Sequence, residues 1–276
     1  MRFALSAEHT EFASVLHDFL SAGHRNLATI GITELTDPVD LVVAFEELGH
    51  HAVPGPLVES IAVVPALVAC EGTASVAFPP HVPYAPEADV YFLVEDDTLR
   101  EAGPGAEMTS VDPTRRLFEL VGGPVIATDV PAGRAFDLGV LTCAAQLVGL
   151  GRAMLEMATG HAKLRTQFGQ AIGGFQAVKH LLADVLIGLE LARPLVHGAA
   201  VTMSPRDVSA AKVAAGDAAH RAARTALQVH GAIGYTAEHD LGRFLTKTRA
   251  LVTAWGTPSM HRSRVLAALC EEVPSR

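Results

Sequence analysis

Excess positive charge, a cysteine framework and a high aromatic content are all missing from this 276-residue chain. Lys and Arg total 21 against 30 Asp and Glu, giving a formal net charge of −9. A surface of that sign repels phosphate backbones, which disfavours nucleic-acid binding through a basic face. The three cysteines, Cys70, Cys143 and Cys270, are odd in number and far apart. They form no disulfide or zinc pattern, so a reducing cytoplasm is expected, with each thiol read as a buried structural group. No charge-free apolar run reaches the roughly 18 residues that a membrane span needs. The longest, Leu138 to Gly151, contains Gln146 and stops at Arg152. The N-terminal stretch has Arg2 but meets Glu8 and Glu11 before an apolar segment forms, so no leader peptide is expected. Familiar catalytic signatures are missing as well: no Walker lysine loop, no G-x-S-x-G elbow, no H-E-x-x-H. Gly149-Leu150-Gly151 starts like a dinucleotide fingerprint, but Met154 holds the third glycine position and the context is mid-helix, so it reads as helix packing. Thirteen histidines are many, yet none stands at metal-ligand spacing with a carboxylate. His50-His51 therefore read as surface residues, and no metal is expected.

What is present is enough apolar material for a large core, 49% of residues against 18% charged. Three zones follow. Residues 1–72 read as an N-terminal helical domain. Ser6 can cap a helix carrying Phe12, Val15, Leu16, Phe19 and Leu20 at helical spacing. Asp37-Pro38 is a second start signal, for a helix expected to stop at Gly49. Residues 54–68 are expected to form a turn and a further helix, bent or broken at Pro65. Residues 73–133 are proline-rich, with short strand-like runs at 74–78, 89–94, 114–121 and 123–130, and read as a small curled β domain. Residues 134–276 read as long helices. Phe175, Val178, Leu182, Val185, Leu186 and Leu189 form one stripe, and Ser204-Pro205-Arg206-Asp207 opens an alanine-rich helix. The fold class is thus mainly α with a small β domain, the last zone forming an antiparallel four-helix bundle.

Two segments in the last zone combine hydrogen-bonding side chains, glycines and an aromatic. One runs from Arg165 through Gln167, Phe168, Gly169, Gln170 and Ile172 to Phe175 and Gln176. The other contains Gln228, His230, Gly231, Gly234 and Tyr235. Such a set suits a diphosphate-bearing ligand: Arg forks onto phosphate oxygens, glycines admit close backbone approach, and Phe168 can lie against a flat ring. On spacing alone, Gly169 and Gly231 read equally well as helix C-caps with incidental polar neighbours.

The pattern R-x-Q-F-G-Q-x-I-x-x-F-Q, followed by Q-V-H-G-x-x-G-Y and then Gly256-Thr257, resembles the C-terminal domain of the acyl-CoA dehydrogenase family. Phe45-Glu46-Glu47-Leu48-Gly49, leading into Pro54-Gly55-Pro56-Leu57, resembles the family's first domain in its actinobacterial form. The resemblance implies a helical domain, a reduced middle β domain and a four-helix bundle. It also implies FAD as cofactor and desaturation of an acyl-CoA as the reaction. It further implies a glutamate base at one of two positions. Here those positions are Trp255, before Gly256-Thr257, and Gly139, after Asp137-Leu138. Neither carries a carboxylate, and the family's flavin-ring loop has no counterpart between Ala74 and Arg134.

What is retained is the set that in the family's dimers holds the ADP half of a neighbouring subunit's FAD. The cofactor-binding residues implied are Arg165, Gln167, Phe168, Phe175, Gln228, Gly231, Gly234 and Thr257; no catalytic residue is assigned. The expectation is a non-catalytic subunit, partnered by a catalytic acyl-CoA dehydrogenase subunit in an α2β2 assembly acting on a bulky, steroid-type acyl-CoA. An emptied site is expected to leave room for a large substrate. One alternative is a self-sufficient enzyme with a relocated base, for which His161, His230, His239 and His261 are candidates. The other is a flavin-free scaffold on the same fold.

Overall fold

The computed structural model describes residues 5–236 and 238–272. Arg2, on which the leader-peptide reading partly rests, lies outside them. The first helix, α1 (Ala7–Ser21), is capped as expected: Ser6 Oγ accepts from the His9 backbone N–H at 3.2 Å. Leu16 and Leu20 are its buried residues, while Val15 faces solvent at 55% exposure and leaves the expected stripe. Helix α2 (Pro38–His50) starts on Asp37, whose Oδ1 accepts from Val39 N–H at 2.8 Å and Asp40 N–H at 3.3 Å. It does not stop at Gly49. That glycine lies within the helix, where a Cβ would collide with the backbone of Gln146. After α2 the chain forms a π-helical turn at Val58–Val63 and a 3-10 turn at Val64–Ala66, the break coming at Pro65.

The middle of the chain folds into strands β1 (Ala74–Ala77), β2 (Ala85–Pro86), β3 (Val90–Glu95), β4 (Thr98–Met108) and β5 (Leu117–Ala127). They form one open sheet in the order β1-β3-β4-β5-β2, with β1 and β3 parallel and the other pairs antiparallel. Strand β4 is absent from the sequence expectation, and two expected runs merge into β5. Pro104 is tolerated inside β4 because β3 pairs with β4 only as far as Ala102; beyond it that side of β4 is an edge.

The remaining described residues form α3 (Ala132–Leu164), α4 (Gln176–Thr202), α5 (Pro205–His230), α6 (Leu241–Thr253) and α7 (Pro258–Glu272). Helix α3 spans 33 residues, about 50 Å, and is the core around which the others pack. Its glycines are crossing points: a Cβ at Gly149 would collide with the carbonyl of Glu46, and one at Gly151 would press on Leu189. The Gly149-Leu150-Gly151 run is therefore helix packing. Ser204 precedes α5 but makes no capping bond; Asp207 is held instead by Thr202 Oγ1 at 2.8 Å. Of the 175–189 stripe, Val185 and Leu189 are buried, while Leu186 faces outward at 49% exposure. Cys143 is buried, but Cys70 and Cys270 are exposed, against the expectation for all three. Helices α3 and α4 are, counting by length and composition with up to two charges allowed, long and apolar enough to cross a membrane. The apolar window of α3 is 89% buried inside the protein, which makes it a core helix; that of α4 is 44% buried.

Candidate functional site

The loop between α6 and α7 brings the two positions that lack a glutamate into contact. Ala254 leaves α6 in extended conformation, Trp255 takes a left-handed φ of 57°, and Gly256 follows at φ 98°. A bulky residue in that region costs about 1–3 kcal/mol and persists only where its surroundings enforce it. Two enforcements are visible. His261, fully buried on α7, donates through Nε2 to the Trp255 carbonyl at 2.8 Å while its Nδ1 meets Ser209 Oγ at 3.2 Å. Burial is the largest influence on this imidazole and pulls it down to about 4, against the bond to Trp255. The ring is thus neutral and tied at both nitrogens. The second enforcement is packing: the indole is 1% exposed, with Phe78 and Phe136 ring centroids at 5.7 and 6.0 Å.

The indole also covers Gly139. A Cβ built at that position would collide with the six-membered ring of Trp255. The two positions are therefore one packing unit, in which a ring from one fills the side-chain space of the other. Gly139→Ala is expected to lower stability by about 1–3 kcal/mol through overpacking, measured by urea denaturation. The room expected from an emptied site is absent. Between Trp255, Glu59 and Lys247 only about 10 Å³ is free. The cavity between Trp255 and the loop residues His81 to Tyr84 and Thr109 to Val111 holds about 230 Å³. That falls below the roughly 300–1,000 Å³ of small-molecule sites.

Sequence reasoning missed a buried carboxylate beside this point. Glu59, on the π-helical turn, is 2% exposed and pairs with Arg115 Nη2 at 3.6 Å. Burial raises its pKa, and Arg115, Trp255 and Lys247 oppose that rise only in part. The Trp255 N–H lies close to Glu59, but neither Glu59 Oε1 nor the indole nitrogen completes a hydrogen bond. Lys247, also buried, donates to the Val53 carbonyl at 2.8 Å; burial lowers it to about 8. A π-helical turn and a buried acid were the signals available, and neither shows in sequence periodicity.

The retained polar residues gather at another place. The last turn of α3 meets the last turn of α5 through His161 and His230, whose ring centroids lie 4.5 Å apart; His239 packs on His230 at 4.6 Å. His230 is buried and bonded through Nδ1 to the Ala226 carbonyl at 2.7 Å, so it serves the helix end. Arg165 caps α3 and leads into a hairpin of β6 (Thr166–Gln167) and β7 (Gln170–Ala171). Its two-residue turn, Phe168-Gly169, has φ values of 51° and 80°, the signature of a type I′ turn. Gly169 is therefore a hairpin glycine and not a helix cap. Phe168 stands at the tip, 92% exposed, its ring edge-on to half-buried Phe175 at 6.1 Å.

Beside the His161–His230 junction lies an open cleft of about 940 Å³, lined by Arg221, Arg224, Gln228, Gly231 and Tyr235, among others. Of the expected binding residues, Gln228 and Gly231 line the cleft. Arg165, Gln167 and Phe168 stand exposed on the hairpin that continues from α3. Gly231 caps α5 at φ 62° with nothing near its missing side chain, which leaves its backbone open to a ligand. Gly234 is buried against Leu227 and His230, so it serves packing. Thr257 does not line the cleft; its Oγ1 accepts from Met260 N–H at 3.2 Å and caps α7. Among the described residues, Arg165, Arg221, Arg224 and Gln228 have no side-chain hydrogen bond or salt bridge. Arg221 and Arg224 were not singled out in the sequence, because scattered arginines on an alanine-rich helix look like a solvated face.

Comparison with known proteins gives a consistent answer. Residues 118–270 match the family described as acyl-CoA dehydrogenase, C-terminal domain. The chain is 30% identical over 243 residues to the acyl-CoA dehydrogenase IpdE2 of Mycolicibacterium smegmatis, covering 83% of this chain and 78% of the relative. Its Mycobacterium tuberculosis counterpart is 32% identical, with 73% and 69% covered. Among solved structures, a chain of the ChsE4-ChsE5 complex of Mycobacterium tuberculosis superposes with a TM-score of 0.83 at 19% identity, all of both chains covered. Butyryl-CoA dehydrogenase of Megasphaera elsdenii gives the same TM-score at 20% identity, covering 98% of this chain and 100% of that one.

Proposed function

Because the chain belongs to the acyl-CoA dehydrogenase family, we propose that it is the non-catalytic subunit of a heteromeric, FAD-dependent acyl-CoA dehydrogenase. The observation that carries this reading is the contrast between its two sites. Where the family keeps its base, Trp255 and Gly139 are packed into each other. Where a neighbour's cofactor would be held, guanidiniums, an amide and a raised aromatic are exposed and unpaired. FAD, when bound, supplies the hydride acceptor for α,β-desaturation of the thioester. This chain's residues do the holding: Arg165 neutralises the diphosphate, Gln228 and the Gly231 backbone offer neutral contacts, and Phe168 packs against the nucleotide half. The base, the flavin-ring contacts and the pocket for a bulky, steroid-type acyl group belong to the partner in an α2β2 cytoplasmic assembly.

A surface for that partner is available. Helix α4 exposes Leu186, Ile187, Leu191 and Leu195, each between 49% and 68%. An apolar stripe of that length on one helix is characteristic of an association face. The ChsE4-ChsE5 neighbour is itself a complex of two different chains.

The test is co-expression with a full-length family member that retains its glutamate, followed by a flavin count. One FAD for each pair of chains is expected, and no acyl-CoA dehydrogenase turnover from this chain alone with added FAD. In the complex, Arg165→Ala is expected to weaken FAD retention about tenfold or more, the worth of a charge-assisted phosphate bond, with Gln228→Ala weaker in the same direction. Robust turnover by the lone chain, abolished by Glu59→Gln, would instead make it an enzyme with a relocated base. Unchanged flavin occupancy in the Arg165 variant would remove the trans-acting role.

A further inference from the structure

His50 and His51, expected from the sequence to be surface residues with no carboxylate at metal-ligand spacing, instead converge with Glu47 and His17 where α1 crosses the end of α2, and the His50 side chain is only 10% exposed. One donor atom from each of His17, Glu47, His50 and His51 lies within 4.8 Å of the other three. Glu47 and His50 lie in the last turn of α2 and His51 caps it, spaced three and four residues from Glu47, so their side chains emerge on one face. His17 reaches them from α1. Two edges of the cluster already have coordination spacing. His17 Nδ1 is 2.9 Å from Glu47 Oε2, and His51 Nε2 is 3.3 Å from His17 Nδ1. Donors around a tetrahedral ion with bonds near 2.0–2.1 Å are separated by about 3.3 Å.

As a hydrogen-bonded cluster the group is incomplete. His17 Nδ1 is shared by Glu47 Oε2 and His51 Nε2, and one ring nitrogen cannot donate to a carboxylate while also accepting from an imidazole. His50 Nδ1 is buried without any partner. The three rings pack at centroid distances of 4.8 to 5.1 Å with the carboxylate as their shared acid. One cation in the middle satisfies all four donors at once.

The surroundings are arranged as around a ligand set. Glu47 Oε1 is taken by Arg152 Nη1 at 3.1 Å, which leaves Oε2 as a single carboxylate donor. His50 Nε2 is held by Glu156 Oε2 at 2.9 Å, which leaves Nδ1 as its donor and supplies the carboxylate–imidazole support typical of metal-bound histidine. Both outer residues come from α3, one turn apart. The cluster also sits at the C-terminal end of α2, the negative end of the helix dipole, where a cation is favoured. His17, with its side chain 41% exposed, gives access from solvent.

We propose that His17, Glu47, His50 and His51 form a closed, four-ligand site for a divalent transition-metal ion of the zinc class, which ties α1 to α2 and α3. Three imidazoles and one carboxylate are borderline donors that select such ions over Mg²⁺ or Ca²⁺. The site has no link to the flavin chemistry, and α1 has reason to need it, since only Leu16 and Leu20 of that helix are buried.

The experiment uses the full chain stripped with chelator, titrated with Zn²⁺ by calorimetry and with Co²⁺ by visible absorption. About one ion per chain is expected, with the intense d–d bands of tetrahedral Co²⁺ and a rise in Tm on loading. His17→Ala, at a half-exposed helix position, and His51→Ala are each expected to remove the bands and the Tm rise. Glu156→Gln should weaken binding about 10- to 100-fold, as loss of outer support does. His180→Ala, at an exposed position on α4, controls for adventitious histidine binding and should change nothing. Failure of the parent chain to bind Zn²⁺ or Co²⁺ overturns the proposal. So does binding that survives both the His17 and His51 substitutions, or binding of octahedral Co²⁺ only.

Discussion

Trp255→Ala is expected to lower the stability of the folded chain by about 3–5 kcal/mol, read as a shift in the urea or thermal midpoint. The indole is 1% exposed and closes the seam between the sheet, α3 and the α6–α7 loop. Its removal uncovers Gly139, Phe78 and Phe136 together, and the backbone that would have to collapse into the hole is tied by His261. Relief of the strained φ at position 255 offsets part of the loss but cannot match it, since alanine gains little in the left-handed region. Trp255→Glu is expected to be worse than Trp255→Ala. It would bury a second acid beside Glu59, whose own carboxyl is already pushed up by burial, with Arg115 and Lys247 the cations within reach. A Trp255→Glu chain that is as stable as the parent would show that the position remains built to receive a glutamate.

Glu46→Gln is expected to be the other large effect. Glu46 is 3% exposed and faces Arg152 at 2.6 Å, Arg193 at 3.0 Å and His197 at 3.5 Å. Burial raises its pKa, but the nearby His197 and the two arginines outweigh that and bring it down to about 2 from the usual 4.5. A carboxyl lowered in the folded state contributes stability that is complete above about 4.5. That contribution is lost as pH falls toward 2, because the unfolded chain then takes up the proton first. The contribution at neutral pH is on the order of 3 kcal/mol. The variant should lose about that much, near the low end for a broken buried ion pair, because the arginines are about a third exposed and can reach water. Stability of the parent should also fall between pH 6.5 and 4, where buried His261, held at about 4, must be charged in the unfolded state only. Denaturation midpoints measured from pH 7 to pH 2.5 separate the two. The variant should keep the first decline and lose the second.

How far the sequence could be read depended on how local the cause was. Ser6 and Asp37-Pro38 cap helices within four residues of themselves, and both were legible. Strand β4 was not, because its run from Leu99 to Met108 has glycine, proline and charge where a strand normally shows β-branched residues; neighbouring β3 and β5 hold it. Gly49 looks like a helix stop in one dimension and is a contact with Gln146 in three. The same limit applies to the sites. Family resemblance singled out Trp255 and Gly139 as positions, but nothing in the sequence says that one ring fills the other's space. Arg165 and Gln228 were visible through their motifs, whereas Arg221 and Arg224 become meaningful only beside the cleft. His17 is some thirty residues from its cluster partners, a pairing that spacing rules cannot detect.

The apolar stripe on α4 bears on the life of the chain before assembly. Leu186, Ile187, Leu191 and Leu195 face water in the monomer, alongside an almost bare Phe168 at the hairpin tip. In the proposed assembly a chain with that surface has two fates, pairing or sticking, and which prevails is set by how much partner is present as it is made. Its folding free energy would then be no fixed property of the polypeptide, because burial of the stripe would contribute only with the partner bound and would scale with subunit concentration. The proposed pairing therefore predicts that chains made in excess of the partner are the ones quality control removes, and that synthesis of the two subunits is matched.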